Sequence, residues 1–196
     1  MTTFKTSRWQ RNLIVTITLS AAFLSVLTQF LLITAFPKIM SEFQRNSTEV
    51  QWLTTSYMLT VAILIPITAY FIDTFKTRTL MIFAMSLFFL GTLVGYLAPS
   101  FSVLIMGRII QGIGSGIMIP LMQTILFLVF PKRRRGYAMG LAGMVINVAP
   151  AVGPPLSGVI IKYFEWRSLF LLILPLAALI LLLIVLFMRN VTKQQE

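Results

Sequence analysis

One arginine stands inside an apolar run long enough to cross a bilayer. Arg108 lies in Gly107-Arg108-Ile109-Ile110-Gln111-Gly112-Ile113-Gly114-Ser115-Gly116, within a stretch from about Phe101 to Phe130. Roughly 20 helical residues span about 30 Å of hydrocarbon. No other Lys, Arg, Asp or Glu falls well inside such a stretch, and no carboxylate is near Arg108 in sequence. A guanidinium there is costly, so it must face protein or water. Either it serves an ion or substrate pathway, or it is structural, snorkelling or bonded to carbonyls.

Three other groups of residues invite chemistry. Thr28 and Gln29 sit past the midpoint of the first apolar run. They could face a cavity, or bond back to their own helix and to a neighbouring one. Asp73 is the one acid in the turn Asp73-Thr74-Phe75-Lys76-Thr77-Arg78. Among so many cations it suggests a specific partner, either a helix N-terminus or Arg78. The solvated-turn reading stands beside it. The fifth apolar run carries Gly136, Gly140 and Gly143, then Asn147-Val148-Ala149-Pro150-Ala151-Val152-Gly153-Pro154-Pro155-Leu156-Ser157-Gly158. Three prolines remove three helix donors, and small residues let another backbone come close. Helix packing alone would account for the Gly136–Gly140 spacing, but the dense proline block predicts a bend with a functional role.

The elements that must position these residues are transmembrane helices. The chain has 196 residues, of which 58% are hydrophobic and 11% charged, against about 25% charged in soluble domains. Its apolar segments are continuous rather than alternating, which predicts helices and speaks against a β-barrel. Cysteine and histidine are absent. Disulfides, thiolate sites and His-dependent metal or serine chemistry are thereby excluded, and no enzyme activity, cofactor or metal is expected. The net charge of +11 sits in short connections, so it reads as topology and contact with anionic membrane lipids, not nucleic acid.

Six spans are predicted, at about 12–33, 50–72, 80–98, 102–126, 137–161 and 168–187. The first should end before Pro37, and Thr48-Glu49-Val50-Gln51 has the spacing of a capping box for the second. One side of the membrane would hold Lys5, Arg8, Arg11, Lys76, Arg78, Lys132, Arg133, Arg134, Arg135, Arg189 and Lys193. The other would hold Lys38, Arg45, Lys162 and Arg167. That asymmetry places both termini in the cytoplasm of a plasma membrane.

Four blocks together give a family resemblance. Ala35-Phe36-Pro37-Lys38-Ile39 is similar to the end of a first-span motif, and Trp52-Leu53-Thr54-Thr55-Ser56-Tyr57-Met58-Leu59 to the opening of a second span. Asp73 to Arg78 resembles a cytoplasmic signature between spans 2 and 3. Arg108-Ile109-Ile110-Gln111-Gly112, followed by Ala149-Pro150-Ala151-Val152-Gly153-Pro154-Pro155-Leu156-Ser157-Gly158, resembles a span-4 motif and a span-5 antiporter motif. In this order the blocks resemble the N-terminal half of a bacterial major facilitator superfamily drug:proton antiporter of the fourteen-span multidrug branch. The chain departs from that pattern at Thr28, where the family usually has aspartate, and at Ile33, where it has asparagine. Ala69 and Lys76 stand at usual glycines, and Thr74 at a usual arginine.

The resemblance implies an all-α six-transmembrane-helix bundle built of two inverted three-helix repeats. It implies a proton-coupled exporter of amphipathic drug-like molecules, working by alternating access. Arg108, Gln111 and Gly112, with Thr28, Gln29 and Asn147, would then line the cavity or couple protons. Asp73, Lys76 and Arg78 would latch the cytoplasmic side, and Ala149, Pro150, Gly153, Pro154, Pro155 and Gly158 would form the antiporter bend. The family's second half is expected as a partner, which makes this chain half a transporter: a natural half, a split-gene product or a truncation. The rival expectation is a non-transporting assembly or regulatory subunit derived from such a half.

Overall fold

The computed structural model describes residues 8–188, so Lys5, Arg189, Lys193 and Glu196 lie outside the described residues, as does the side chain of Arg8. Seven α-helices follow one another: α1 (Arg8–Leu31), α2 (Phe36–Phe43), α3 (Ser47–Thr74), α4 (Thr77–Tyr96), α5 (Phe101–Val129), α6 (Arg135–Tyr163) and α7 (Arg167–Phe187). Six crossings result, because α1, a 3₁₀ turn at Ile33–Ala35 and the short α2 form one continuous apolar span. The chain is a multi-pass membrane protein.

Two local expectations are corrected. The first span does not stop before Pro37. Helix α1 ends at Leu31, but the apolar span runs on, and Pro37 falls in the first turn of α2, where its missing N–H has no helical partner to lose. The chain leaves α2 through Gln44, which adopts φ 52° and donates its N–H to Met40. The cap of the second span also lies earlier than Thr48–Gln51. The Asn46 side chain accepts from the Glu49 N–H at 2.8 Å, and the Glu49 carboxylate accepts from the Asn46 N–H at 3.0 Å. Asparagine is the stronger N-cap, and Glu49 is held in addition by Arg45 at 2.9 Å.

Prolines lie inside α3, α5, α6 and α7, and none interrupts its helix. In α5 the reason is visible. Pro120 cannot donate to the Gly116 carbonyl, and the Thr68 hydroxyl from α3, which bonds back to the Leu64 carbonyl at 2.7 Å, shares its one proton with that carbonyl at 3.2 Å.

Helix α5 is the centre of the bundle, packed on α4, α3 and α1, while α1 also packs on α6 and α7, and α7 on α4. Exchanging span 1 with 4, 2 with 5 and 3 with 6 turns this set of neighbours into itself. The α1–α6 contact becomes the α5–α3 contact, α1–α7 becomes α5–α4, and α4–α7 and α1–α5 are unchanged. Two three-helix repeats account for that pattern.

The two rims are called inner and outer here after the orientation expected from charge. At the outer rim Trp166, 2% exposed, donates its indole N–H to Glu42 at 2.5 Å. Arg167 donates to the other oxygen of Glu42 at 2.5 Å and to the Ala98 carbonyl at 2.9 Å. One carboxylate thus ties the end of α2 to the α6–α7 turn, and Arg167 carries the tie on to the α4–α5 turn.

Candidate functional site

Glycines bring the helices around Arg108 unusually close. A Cβ on Gly107 would stand 2.9 Å from the Gly95 backbone nitrogen on α4, and one on Gly112 would stand 3.0 Å from the Tyr57 carbonyl oxygen on α3. Arg108, Gln111 and Ser115 follow each other at helical spacing on α5. All three are fully buried.

Among the described residues the guanidinium of Arg108 has no carboxylate partner. Its Nε donates to the Leu53 carbonyl at 3.2 Å, and its Nη1 donates to the Gln111 side chain at 2.8 Å. Gln111 in turn donates to the Thr92 hydroxyl at 2.7 Å, which donates to the Phe88 carbonyl at 2.7 Å. The guanidinium carbon sits 4.3 Å from the centroid of the Tyr57 ring. A desolvated cation on an aromatic face gains about 2 kcal/mol or more. Arg108 therefore stabilises its charge with a carbonyl, an amide and a ring, which together hold α3, α4 and α5. Its Nη2 is enclosed and has no partner among the described residues.

The network continues beyond the ring. The Tyr57 hydroxyl lies 2.6 Å from Ser115 Oγ, 2.9 Å from the Ser25 carbonyl oxygen and 3.3 Å from Ser25 Oγ. With one proton to give, it donates in one direction and accepts in the other. Four helices are joined by this buried polar line, yet the step from Arg108 to Tyr57 is made through the ring face and not by a hydrogen bond. The arrangement fixes a charge at the heart of the bundle. It contains no group that binds and releases a proton at ordinary pH, since arginine holds its proton.

The other sequence candidates lie elsewhere. Thr28 is buried and donates back to Leu24 at 2.7 Å within its own helix. Gln29 is half-buried, and Asn147 is exposed and bonds back to Gly143 at 2.7 Å. None of these three shares a hydrogen bond with the Arg108 network. Gly112 is a packing contact between α5 and α3. On α6, Ala149, Gly153 and Ser157 are buried against α1. Ser157 donates to the Leu31 carbonyl at 2.6 Å and accepts from Thr34, and a Cβ on Gly153 would meet Phe30 at 2.9 Å. Pro150 and Pro154 are half-buried, while Pro155 and Gly158 are exposed.

The turn between spans 2 and 3 is also placed differently from expectation. Asp73, Lys76 and Arg78 are all exposed, and among the described residues Asp73 and Arg78 form no ion pair. Arg78 reaches away from α3 and donates to the Val185 carbonyl of α7 at 2.5 Å. The start of α4 packs on α7, which turns Arg78 to that side.

Sequence reasoning gave no role to Tyr57, Ser115, Ser25 or Thr92. Ser115 was within reach, lying two turns beyond Arg108 on the same face. Tyr57 sat inside a quoted motif, but nothing in its spacing tells a ring under a guanidinium from a core aromatic. Thr92 carried no signal beyond being a hydroxyl in an apolar run.

Comparison with known proteins covers nearly the whole chain. A family model described as Major Facilitator Superfamily matches residues 18–196. "Uncharacterized MFS-type transporter YcnB" of Bacillus subtilis is 52% identical over 195 residues, covering 100% of this chain and 41% of that protein. "Uncharacterized MFS-type transporter YhcA" of the same organism is 43% identical over 91% of this chain and 34% of its own length. "Lincomycin resistance protein LmrB" of Listeria monocytogenes is 40% identical over 89% of this chain and 37% of its own length. The chain thus spans about two fifths of the length of these curated relatives.

Proposed function

We infer that this chain, which belongs to the Major Facilitator Superfamily, forms the N-terminal six-helix half of a proton-coupled exporter of amphipathic, drug-like molecules. A second half completes the path, and alternating access moves one half against the other. The observation that carries this reading is the uneven burial of the helices. Only 17% of the most apolar stretch of α3, and 17% of that of α6, is buried, against 56% for α5. These two helices exchange with each other in the internal repeat, so both repeats leave the same element uncovered.

The open side of α6 is lined by Gly136, Gly140, Gly143, Asn147 and Gly158. Among the described residues, nothing lies within 4 Å of a Cβ built on any of these glycines. Lipid tails have no need of such a surface, whereas a second helix packs closely on small residues. Drug export is supported by the likeness to the lincomycin resistance protein. Proton coupling requires a group that exchanges protons within the membrane. None of the acids in this sequence falls in a span interior, so that group belongs to the second half. Both termini face the cytoplasm in this reading, following the cation asymmetry.

The test is reconstitution in liposomes with an imposed pH gradient and a fluorescent cationic dye. The chain with its second half should move dye with the gradient, and the chain alone should not. Gradient-driven transport by this chain alone would overturn the reading. Orientation is checked separately in intact cells, where Arg45→Cys should react with an impermeant reagent and Arg78→Cys should not.

A further inference from the structure

The two rims treat their cations differently. At the outer rim Arg45 pairs with Glu49, Arg167 pairs with Glu42, and Lys38 donates to the Ile161 and Phe164 carbonyls. The inner rim carries Arg11, Lys76, Arg78 and the Lys132–Arg135 run against Asp73, and among the described residues no ion pair forms there. Two of these cations are also pre-positioned. The Arg11 guanidinium stacks 5.7 Å from the Phe130 ring centroid, and that of Arg135 stacks 5.5 Å from the Phe127 ring centroid. Both rings stand at the end of α5, one turn apart, where Val15 of α1, Phe130 and Ala138 of α6 share one apolar cluster. The Nε atoms of Arg11 and Arg135 are enclosed and have no partner among the described residues.

A topology signal needs only the number of cations on a side. It does not need two half-buried guanidinia, each held over a ring at the end of α5, with donors left over and, among the described residues, no carboxylate paired with them. We propose that Arg11 and Arg135, flanked by the exposed Lys132, Arg133 and Arg134, form a headgroup site for an anionic phospholipid. The phosphate seats against the two guanidinia, whose planar forks match its oxygens. The acyl chains lie along the apolar flank of the bundle in the bilayer. Asp73 belongs to a different connection, at the end of α3, and Arg78 is engaged by the Val185 carbonyl. This site does not depend on the transport reading.

The experiment compares phosphatidylglycerol with phosphatidylcholine, added at equal mole fraction to the purified chain in neutral detergent. Lipid retention is read by native mass spectrometry and stabilisation by the thermal midpoint. Wild type should retain phosphatidylglycerol preferentially, with the preference falling about fivefold for each cation lost, in Arg11→Gln and again in Arg11→Gln/Arg135→Gln. The pair Arg11→Lys/Arg135→Lys keeps the charge that sets topology, yet should lose most of the preference, because an ammonium neither stacks nor forks. Arg45→Gln at the outer rim should leave it unchanged. If a variant does not melt cooperatively without lipid, Phe127→Leu replaces it, removing the ring under Arg135 with no change in charge. Full preference in the lysine pair or in Phe127→Leu would reduce the cluster to diffuse charge and overturn the site. So would equal retention of phosphatidylcholine, or equal stabilisation by glycerol phosphate or inorganic phosphate.

Discussion

Helices α5 and α6 look alike in sequence and do opposite work. Each runs for 29 residues, and each carries glycines at helical spacing and internal proline. On α5 the glycines are filled by the chain itself, with Gly107 against Gly95 and Gly112 against Tyr57 and Thr60. On α6 only Gly153 is filled in this way, by Phe30, while Gly136, Gly140, Gly143 and Gly158 face open space. The same small residue therefore marks a contact already made in one helix and a contact still to be made in the other. What separates them is the neighbour, and a glycine carries no information about its neighbour.

The largest expected effect tests that difference directly. Gly112→Leu would drive its side chain into the α3 backbone, which cannot move aside as a flexible side chain would. The bundle should lose about 3 kcal/mol or more, read as loss of a cooperative melt in detergent. Gly140→Leu should leave the melt of the isolated chain within about 0.5 kcal/mol of wild type, and should abolish assembly with a second half. Equal destabilisation by both variants would erase the distinction between the helices.

Arg108 sharpens the comparison because the closed side of α5 holds a buried charge in mid-helix, whereas α6 carries cations only near its two ends. Arg108→Lys should destabilise the chain by about 2–3 kcal/mol, since the ammonium cannot reach Leu53 and Gln111 together and lie over Tyr57. In an assembled transporter Arg108→Ala should abolish drug-driven proton exchange, measured at matched membrane levels. Normal exchange in both variants would leave Arg108 as a clamp between α3 and α5 alone.

The crossings were legible in the sequence because lipid imposes a long apolar run on every span. The family was legible from motifs. The centre of the site was only half legible. Arg108 announced itself by the cost of burying a cation, and Gln111 only through the family resemblance. Tyr57, Ser25 and Thr92 come from other helices, and which face of a uniformly apolar helix turns inward is not encoded by periodicity. Asp73 and Arg78 misled for a related reason: nearness in sequence suggested a pair, but the packing of α4 on α7 turned Arg78 away.

A smaller effect concerns how the partly open α6 is anchored. Lys38 donates to the Ile161 carbonyl at 2.5 Å and to the Phe164 carbonyl at 3.0 Å, so the last turn of α6 is held by the first span. A cation at a helix C-terminus contributes about 0.3–1 kcal/mol. Lys38→Met should therefore lower stability by about that amount and speed hydrogen exchange at residues 160–164. Exchange near Gly140 should not change. If it rose equally, α6 would be a single loosely held rod and not a helix tied at its outer end.

The smallest effect separates the prolines of the two helices. Pro120 of α5 leaves the Gly116 carbonyl without a helical donor, and Thr68 shares with it, across the α3–α5 contact, the proton it also gives to Leu64. Pro150, Pro154 and Pro155 of α6 likewise leave the carbonyls of Ile146, Pro150 and Ala151 without helical donors. Among the described residues no side chain donates to those three. Thr68→Val keeps the side-chain shape and removes the hydroxyl. Because that proton is shared with Leu64, the loss should stay below about 0.6 kcal/mol, the average worth of a full hydrogen bond between membrane helices. Pro120→Ala restores a backbone N–H for Gly116, so Thr68→Val should be nearly silent in that background. The coupling between the two substitutions, measured as a double-mutant cycle on the detergent melt, reports the bond itself. A coupling near zero would mean that the Gly116 carbonyl needs no donor, and that the uncovered carbonyls of α6 call for no partner either.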